Sequence, residues 1–167
     1  MPEICTTHDS ATRQHLEFPH LDAAVQYAEQ LHRGGYHSLG NWNLAQVCEH
    51  LSDWMEYMLD GYPATPLPIK PVLWGLRITV GKSILHKMLA TGQMRPGGRT
   101  LKQTVHKQDD LEDATSLRRF RQTVERFAAH DGDYHASPIF GPLSAKAGLK
   151  LQLVHCAHHL SFLRGTT

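Results

Sequence analysis

The residues best suited to chemistry lie near the end of the chain, in Leu153-Val154-His155-Cys156-Ala157-His158-His159-Leu160. Apolar spacing predicts a helix there. His155 and His159 are four residues apart, a rotation of about 400°, so their imidazoles stand one turn apart on nearly one face. That spacing lets two neutral ring nitrogens reach one cation. Imidazole suits zinc, nickel, iron or copper. Two ligands do not complete a site, and a third must come from another element. His50 lies between Val47 and Leu51 and one turn before Trp54, close to the apolar face of a second predicted helix. A histidine there wants a polar partner, because burying it unpaired is costly. Three histidines from two helices would leave coordination positions open for water or substrate, a catalytic rather than a closed structural pattern. The plainer alternative stands beside this: 13 histidines in 167 residues produce a His-x-x-x-His pair by chance. His50, taken alone, then reads as a hydrogen-bonded core histidine.

The neighbours of these three divide in the same way. His158 is about 100° round the helix from His159, so it supports a ligand or faces solvent. Gln152 is placed either to orient a ligand imidazole or to lie on the bundle surface. Cys48 and Cys156 are potential soft ligands, but packing is the better reading of small apolar cysteines. Glu49 reads as a solvent-facing charge, and Asp53, three residues beyond His50, is better placed as a general base. Trp42, Trp54 and Trp74 read as core aromatics. Neither a phosphate-cradling glycine loop nor a Gly-x-Ser-x-Gly nucleophile elbow is present.

The elements that must position these groups are helices. Residues 1–20 read as an irregular arm, and 21–165 as one helical domain. Leu21, Ala24, Val25, Ala28 and Leu31 mark a first helix that ends at Gly34-Gly35. Asn41 or Asn43 caps a second, over about 43–60. Four prolines from Pro63 to Pro71 interrupt the pattern. A third helix is predicted to about residue 90, although Leu76-Arg77-Ile78-Thr79-Val80 alternates like a strand and Gly81 weakens the helix. Residues 92–110 form a long loop. Leu117, Phe120, Val124 and Phe127 mark a helix over about 112–130, and Ser144 caps the last, over about 145–163. The class is all-α, and a helix bundle is the natural closure.

Composition narrows the partners. Seventeen Lys and Arg against sixteen Asp and Glu leave a net charge of +1, with no overall field to steer nucleic acid or an anionic membrane. Neither is expected as a partner. Three cysteines and the absence of an apolar leader suit a reducing, cytoplasmic setting. No window is apolar for the length of a membrane span. A homodimer through apolar bundle faces stays open.

Two segments carry a resemblance. Gly40-Asn41-Trp42-Asn43-Leu44-Ala45-Gln46-Val47-Cys48-Glu49-His50-Leu51 resembles the first histidine helix of the DinB-like (DinB/YfiT-like) superfamily, and His155 to Leu160 resembles its last. Phe140-Gly141-Pro142-Leu143-Ser144, with the pair His158-His159, is similar to an uncharacterised bacterial branch of that superfamily. The resemblance runs from about Phe18 to Phe162. It implies an up-down-down-up four-helix bundle with an extra N-terminal segment and one divalent metal ion (zinc, nickel or iron) on His50, His155 and His159. It also implies a low-molecular-weight thiol as co-substrate, since some members are thiol-dependent transferases while others are known only to bind metal. Three functions remain open. One is a metal-dependent enzyme acting on a small-molecule substrate, with a thiol or water as nucleophile. The others are a non-catalytic module for a metal or small ligand, and a structural bundle with a degenerate site.

Overall fold

The apolar positions at helical spacing do form the core. In a computed structural model, which describes residues 13–64, 67–97 and 100–166, α1 spans Leu21–Gly34 and buries Leu21, Ala24, Val25, Ala28 and Leu31. Its N-terminus is capped by His20, whose Nδ1 accepts from the Ala23 amide at 3.1 Å. Gly35 ends it with φ 78°, a left-handed value that glycine adopts without a Cβ clash. The chain then makes a three-residue strand, β1 (Tyr36–Ser38).

α2 spans Leu44–Asp60. Asn43, not Asn41, is its cap: the Asn43 side chain accepts from the Gln46 amide, and Gln46 reaches back to the Asn43 amide. This reciprocal box satisfies two end donors that would otherwise lack partners. α5 spans Asp113–Ala128, and α6 spans Ala145–Leu160 with Ser144 as its cap. β2 (Leu163–Gly165) returns antiparallel to β1, pairing Tyr36 with Gly165 and Ser38 with Leu163. This small sheet was not foreseen from the sequence.

The described residues are mostly helical. α2 packs along α5 and also touches α6, and α1 packs on both α5 and α6. The shared core includes Leu44, Leu51, Met55, Phe120, Phe127 and Leu160. Before α1, residues 13–20 form no regular element, and Leu16 and Phe18 pack against this core. Residues 1–12, most of the predicted arm, lie outside the described residues.

Between α2 and α5 runs a helical rod: a 3-10 turn (Leu67–Ile69), α3 (Lys70–Leu76), a π turn (Arg77–Gly81) and α4 (Lys82–Thr91). The third helix therefore begins earlier than the proline pattern suggests. Pro71 sits in its first turn, where the missing amide hydrogen costs nothing. The strand-like stretch is the π turn. Gly81 closes that turn and is buried against residue 139: a Cβ there would stand 2.3 Å from the Ile139 carbonyl oxygen. The rod packs on α6 through α4 and buries only Gly81 and Met88 fully. Trp74, expected in the core, is 64% exposed because the rod turns that side away from the core.

The long loop after α4 is built against α2. It contains two short 3-10 turns, Lys102–Thr104 and Gln108–Asp110, and Thr104 is fully buried. Among the described residues no helix is long and apolar enough to cross a membrane.

Candidate metal centre

α2 turns His50 inward because Val47, Leu51 and Met55 bury the same side of the helix. α6 presents His155 and His159 one turn apart, as their spacing predicts. The fold brings the three rings together. Ring centroids lie 5.0 Å apart for His50–His155, 4.5 Å for His50–His159 and 4.7 Å for His155–His159. One nitrogen from each falls within 4.8 Å of the others.

The tautomer of His50 follows from its contacts. Its Nδ1 lies 3.0 Å from the Thr104 carbonyl oxygen, which can only accept, so Nδ1 carries the hydrogen. Its Nε2 then offers a lone pair. That atom stands 3.2 Å from the Nε2 of His155. Two imidazole nitrogens on one tetrahedral zinc at about 2.0–2.1 Å stand about 3.3 Å apart, so the spacing fits a shared cation.

Electrostatics agree with a neutral, ligating triad. Burial lowers the His50 pKa to about 4, against a smaller upward effect of the Thr104 bond. Burial, then the positive forms of neighbouring histidines, holds His155 and His159 well below the usual histidine range. Unprotonated imidazoles with aimed lone pairs are the form that binds a metal. The donor set of three neutral nitrogens therefore fits a divalent cation and leaves coordination open.

Two tryptophans wall this centre, and Trp42 also packs against the hydrophobic core, as its type predicts. Trp42 stacks on His159, with centroids 5.4 Å apart and planes 13° apart, and tilts against His50. Trp54 meets His155 edge-on at 90°. The triad opens on a cavity of about 700 Å³, whose other walls include Trp54, Met58, Leu73 and Phe140. Its lining is mainly apolar with a few polar atoms, the usual character of a small-molecule pocket.

Gln152 is buried, yet it hydrogen-bonds to no imidazole among the described residues: its Nε2 donates to the Met58 sulfur at 3.0 Å, and its Oε1 has no partner among them. Neither role expected of it holds. His158 is half-buried and packs edge-on against His159 and Phe162, outside the triad. Cys48 and Cys156 are buried free thiols, and burial raises both pKa values. They pack, and neither joins the triad.

Glu49 is the clearest correction. It is buried, not solvent-facing, because Glu49, Asp53 and Glu56 lie along one side of α2 and all meet Arg119 of α5. Arg119 donates to Asp53 at 2.8 Å and to Glu56 at 2.6 Å, and it also pairs with Glu49. His106 Nε2 stands 2.7 Å from Asp53. Glu49, Asp53 and His106 have metal-ligand spacing, but the Arg119 guanidinium already supplies their cation. Asp53 is accordingly held by two partners and is not free to act as a base on the triad.

Sequence reasoning missed Thr104, His106 and Arg119. The loop carrying the first two is pinned to α2 three times: at His50, at Asp53, and by Gln46 Nε2 donating to the His106 carbonyl at 2.7 Å. The acidic stripe at 49, 53 and 56 was the available signal, since carboxylates so aligned require a cation.

Neither the curated proteins nor the solved structures gave a match. A family match, by contrast, runs over residues 10–166 and takes in both histidine helices and the loop that holds His50. On that match the chain belongs to the family described as Protein of unknown function (DUF1569).

Proposed function

We propose that the chain is a DinB-like, divalent-metal-dependent protein of the cytoplasm, in which His50, His155 and His159 hold zinc, nickel or iron beside a pocket for an apolar substrate. The observation that carries this reading is the convergence of three imidazoles, two buried and that of His159 half-buried, on one point at the edge of a mainly apolar cavity. A metal held there would lower the pKa of a bound thiol or water and so supply a nucleophile at neutral pH.

The residues divide the remaining work. Thr104 keeps the His50 lone pair aimed, Trp42 stacks the His159 ring in place, and Trp54 and Met58 form the cavity wall that takes up apolar substrate surface. The DinB-like resemblance favours a small thiol as nucleophile. Cys48 and Cys156 do not compete for that role, since both are buried and burial raises their pKa values. The thiol would lose its proton to solvent, and its sulfur would form a bond to an electrophilic carbon of the substrate, which releases its leaving group with the bonding pair.

A second reading rests on the 3.2 Å separation of the His50 and His155 Nε2 atoms. That distance also suits a neutral hydrogen bond between the rings, and the bundle would then be structural. Elemental analysis of protein purified without a histidine tag separates the two. Near-stoichiometric metal that disappears in His50→Ala supports the metal centre. Protein that stays metal-free after loading and removal of excess selects the structural reading.

A further inference from the structure

The net charge of +1 hides a segregation. Residues 61–108 contain eight Lys and Arg and not one Asp or Glu, while the rest of the chain has nine Lys and Arg against sixteen Asp and Glu. The rod lies within this basic segment. Lys70, Lys82 and Lys87 on the rod, and Arg95 just beyond it, are exposed. No ion pair among the described residues involves them.

The same rod carries most of the large apolar side chains that stand exposed among the described residues. Leu67, Val72, Trp74, Ile78, Val80 and Ile84 are 45–78% exposed. Single exposed apolar residues are ordinary, but so many of them on one element point to an interaction surface. Whatever covers it must combine negative charge with apolar depth.

We propose that the rod is a docking surface for an anionic phospholipid membrane, lying in the plane of the interface with its apolar side chains among the acyl chains and its lysines at the headgroups. Basic helices with an exposed aromatic and aliphatic face behave in this way. Tryptophan favours the boundary between water and lipid, and lysine stems reach along apolar surface to place their charge in the headgroup layer. The rod of 25 residues, Leu67–Thr91, is too interrupted and too charged to span, so it lies on the surface.

A second copy of the chain fits less well. Pairing rod on rod sets like charges against each other with no acidic residue to relieve them. Pairing the rod with another face of a second copy finds no apolar counterpart, because outside the rod the exposed large hydrophobics of the described residues are only Val105 and Leu149. Nucleic acid would satisfy the lysines but not Val72, Ile78, Val80 and Ile84. The proposal revises the expectation of no membrane partner, and it stands independently of the metal centre.

The test is co-sedimentation of the full chain with large unilamellar vesicles of phosphatidylcholine alone and of phosphatidylcholine mixed with phosphatidylglycerol as the anionic probe. Binding is expected only to the anionic vesicles, falling steeply as salt rises. Each basic residue near the surface contributes about fivefold, so Lys82→Glu/Lys87→Glu should weaken partitioning by at least about tenfold. Trp74→Ser should also weaken it, while circular dichroism keeps its helical signal. Both substitutions fall on exposed positions, so loss of fold in one leaves the other as the test. Absence of pelleting, or equal pelleting with neutral vesicles, overturns the proposal. So does a stable dimer in sedimentation velocity that Trp74→Ser converts to monomer without any vesicle binding.

Discussion

The Nδ1–H of His50 donates to the carbonyl of Thr104 across 54 residues of sequence, at 3.0 Å. This bond decides which nitrogen of His50 faces His155 and His159. It also makes a loop residue with no chemistry of its own part of the candidate centre, because the tautomer of His50 depends on where that loop sits.

Loosening the loop should therefore weaken metal binding without touching a ligand. His106→Ala removes the contact with Asp53 that pins residues 104–106 to α2. Such supporting groups typically contribute about 10–100-fold to affinity. A drop of about tenfold is expected, and competition with a chromophoric chelator measures it. Unchanged affinity would mean that the Thr104 carbonyl is held by other contacts.

Metal should stabilise the native fold, since a ligand that binds only the folded state raises its stability. At a free concentration 100 times Kd the gain is about 2.7 kcal/mol, or roughly 5–10 °C in a chain of this size. Scanning calorimetry with zinc or nickel and then with chelator should show that difference in the natural sequence and none in His50→Ala. An equal shift in both would place the metal elsewhere.

The apo protein should lose stability in mild acid. The folded His50 has its pKa depressed to about 4, below the usual 6.5, by burial. Between these values the unfolded chain binds the extra proton, so stability rises with pH. The contribution is complete above about pH 6.5 and lost as pH falls toward 4. His155 and His159 add in the same direction. Urea midpoints of metal-free protein should fall steadily from pH 7 to pH 4.5, with a shallower slope in His50→Gln. A flat profile would contradict neutral burial of the triad.

Arg119→Met should destabilise the fold by its effect on α2. It leaves Glu49 and Asp53 buried without their cation. The Arg119 side chain is 31% exposed, so the cost should be about 2–3 kcal/mol, less than for a fully buried pair. Urea unfolding would show this, and Arg119→Lys should recover only part, since one ammonium cannot span three carboxylates.

Gly81→Ala should displace the rod or residue 139. The added methyl would lie 2.3 Å from the Ile139 oxygen, far inside van der Waals contact. An overpacking cost of about 1–3 kcal/mol is expected. A melting temperature within one degree of the natural protein's would show that this backbone contact yields freely.

Much of the helical layout was legible in the sequence because its causes are local. Leu21 to Leu31, Leu44 to Met58 and Leu117 to Phe127 each repeat with the helical period, and Asn43 and Ser144 announce helix starts through their own side chains. The four-residue step from His155 to His159 likewise determined that these two rings share a face, and the apolar neighbours of His50 placed it near the core. What the sequence alone left undecided depended on contacts between distant segments. Glu49 looked like a surface charge until Arg119, 70 residues away, arrived to neutralise it. Trp74 looked like a core aromatic, but the rod is buried at Gly81 and Met88 and leaves Trp74 on the outer side. The tautomer of His50 was set by Thr104, in a loop whose composition carries no periodic signal. Local patterns determine which face of a helix is apolar; only tertiary packing decides which partner that face meets, and here it brings three imidazoles to one point.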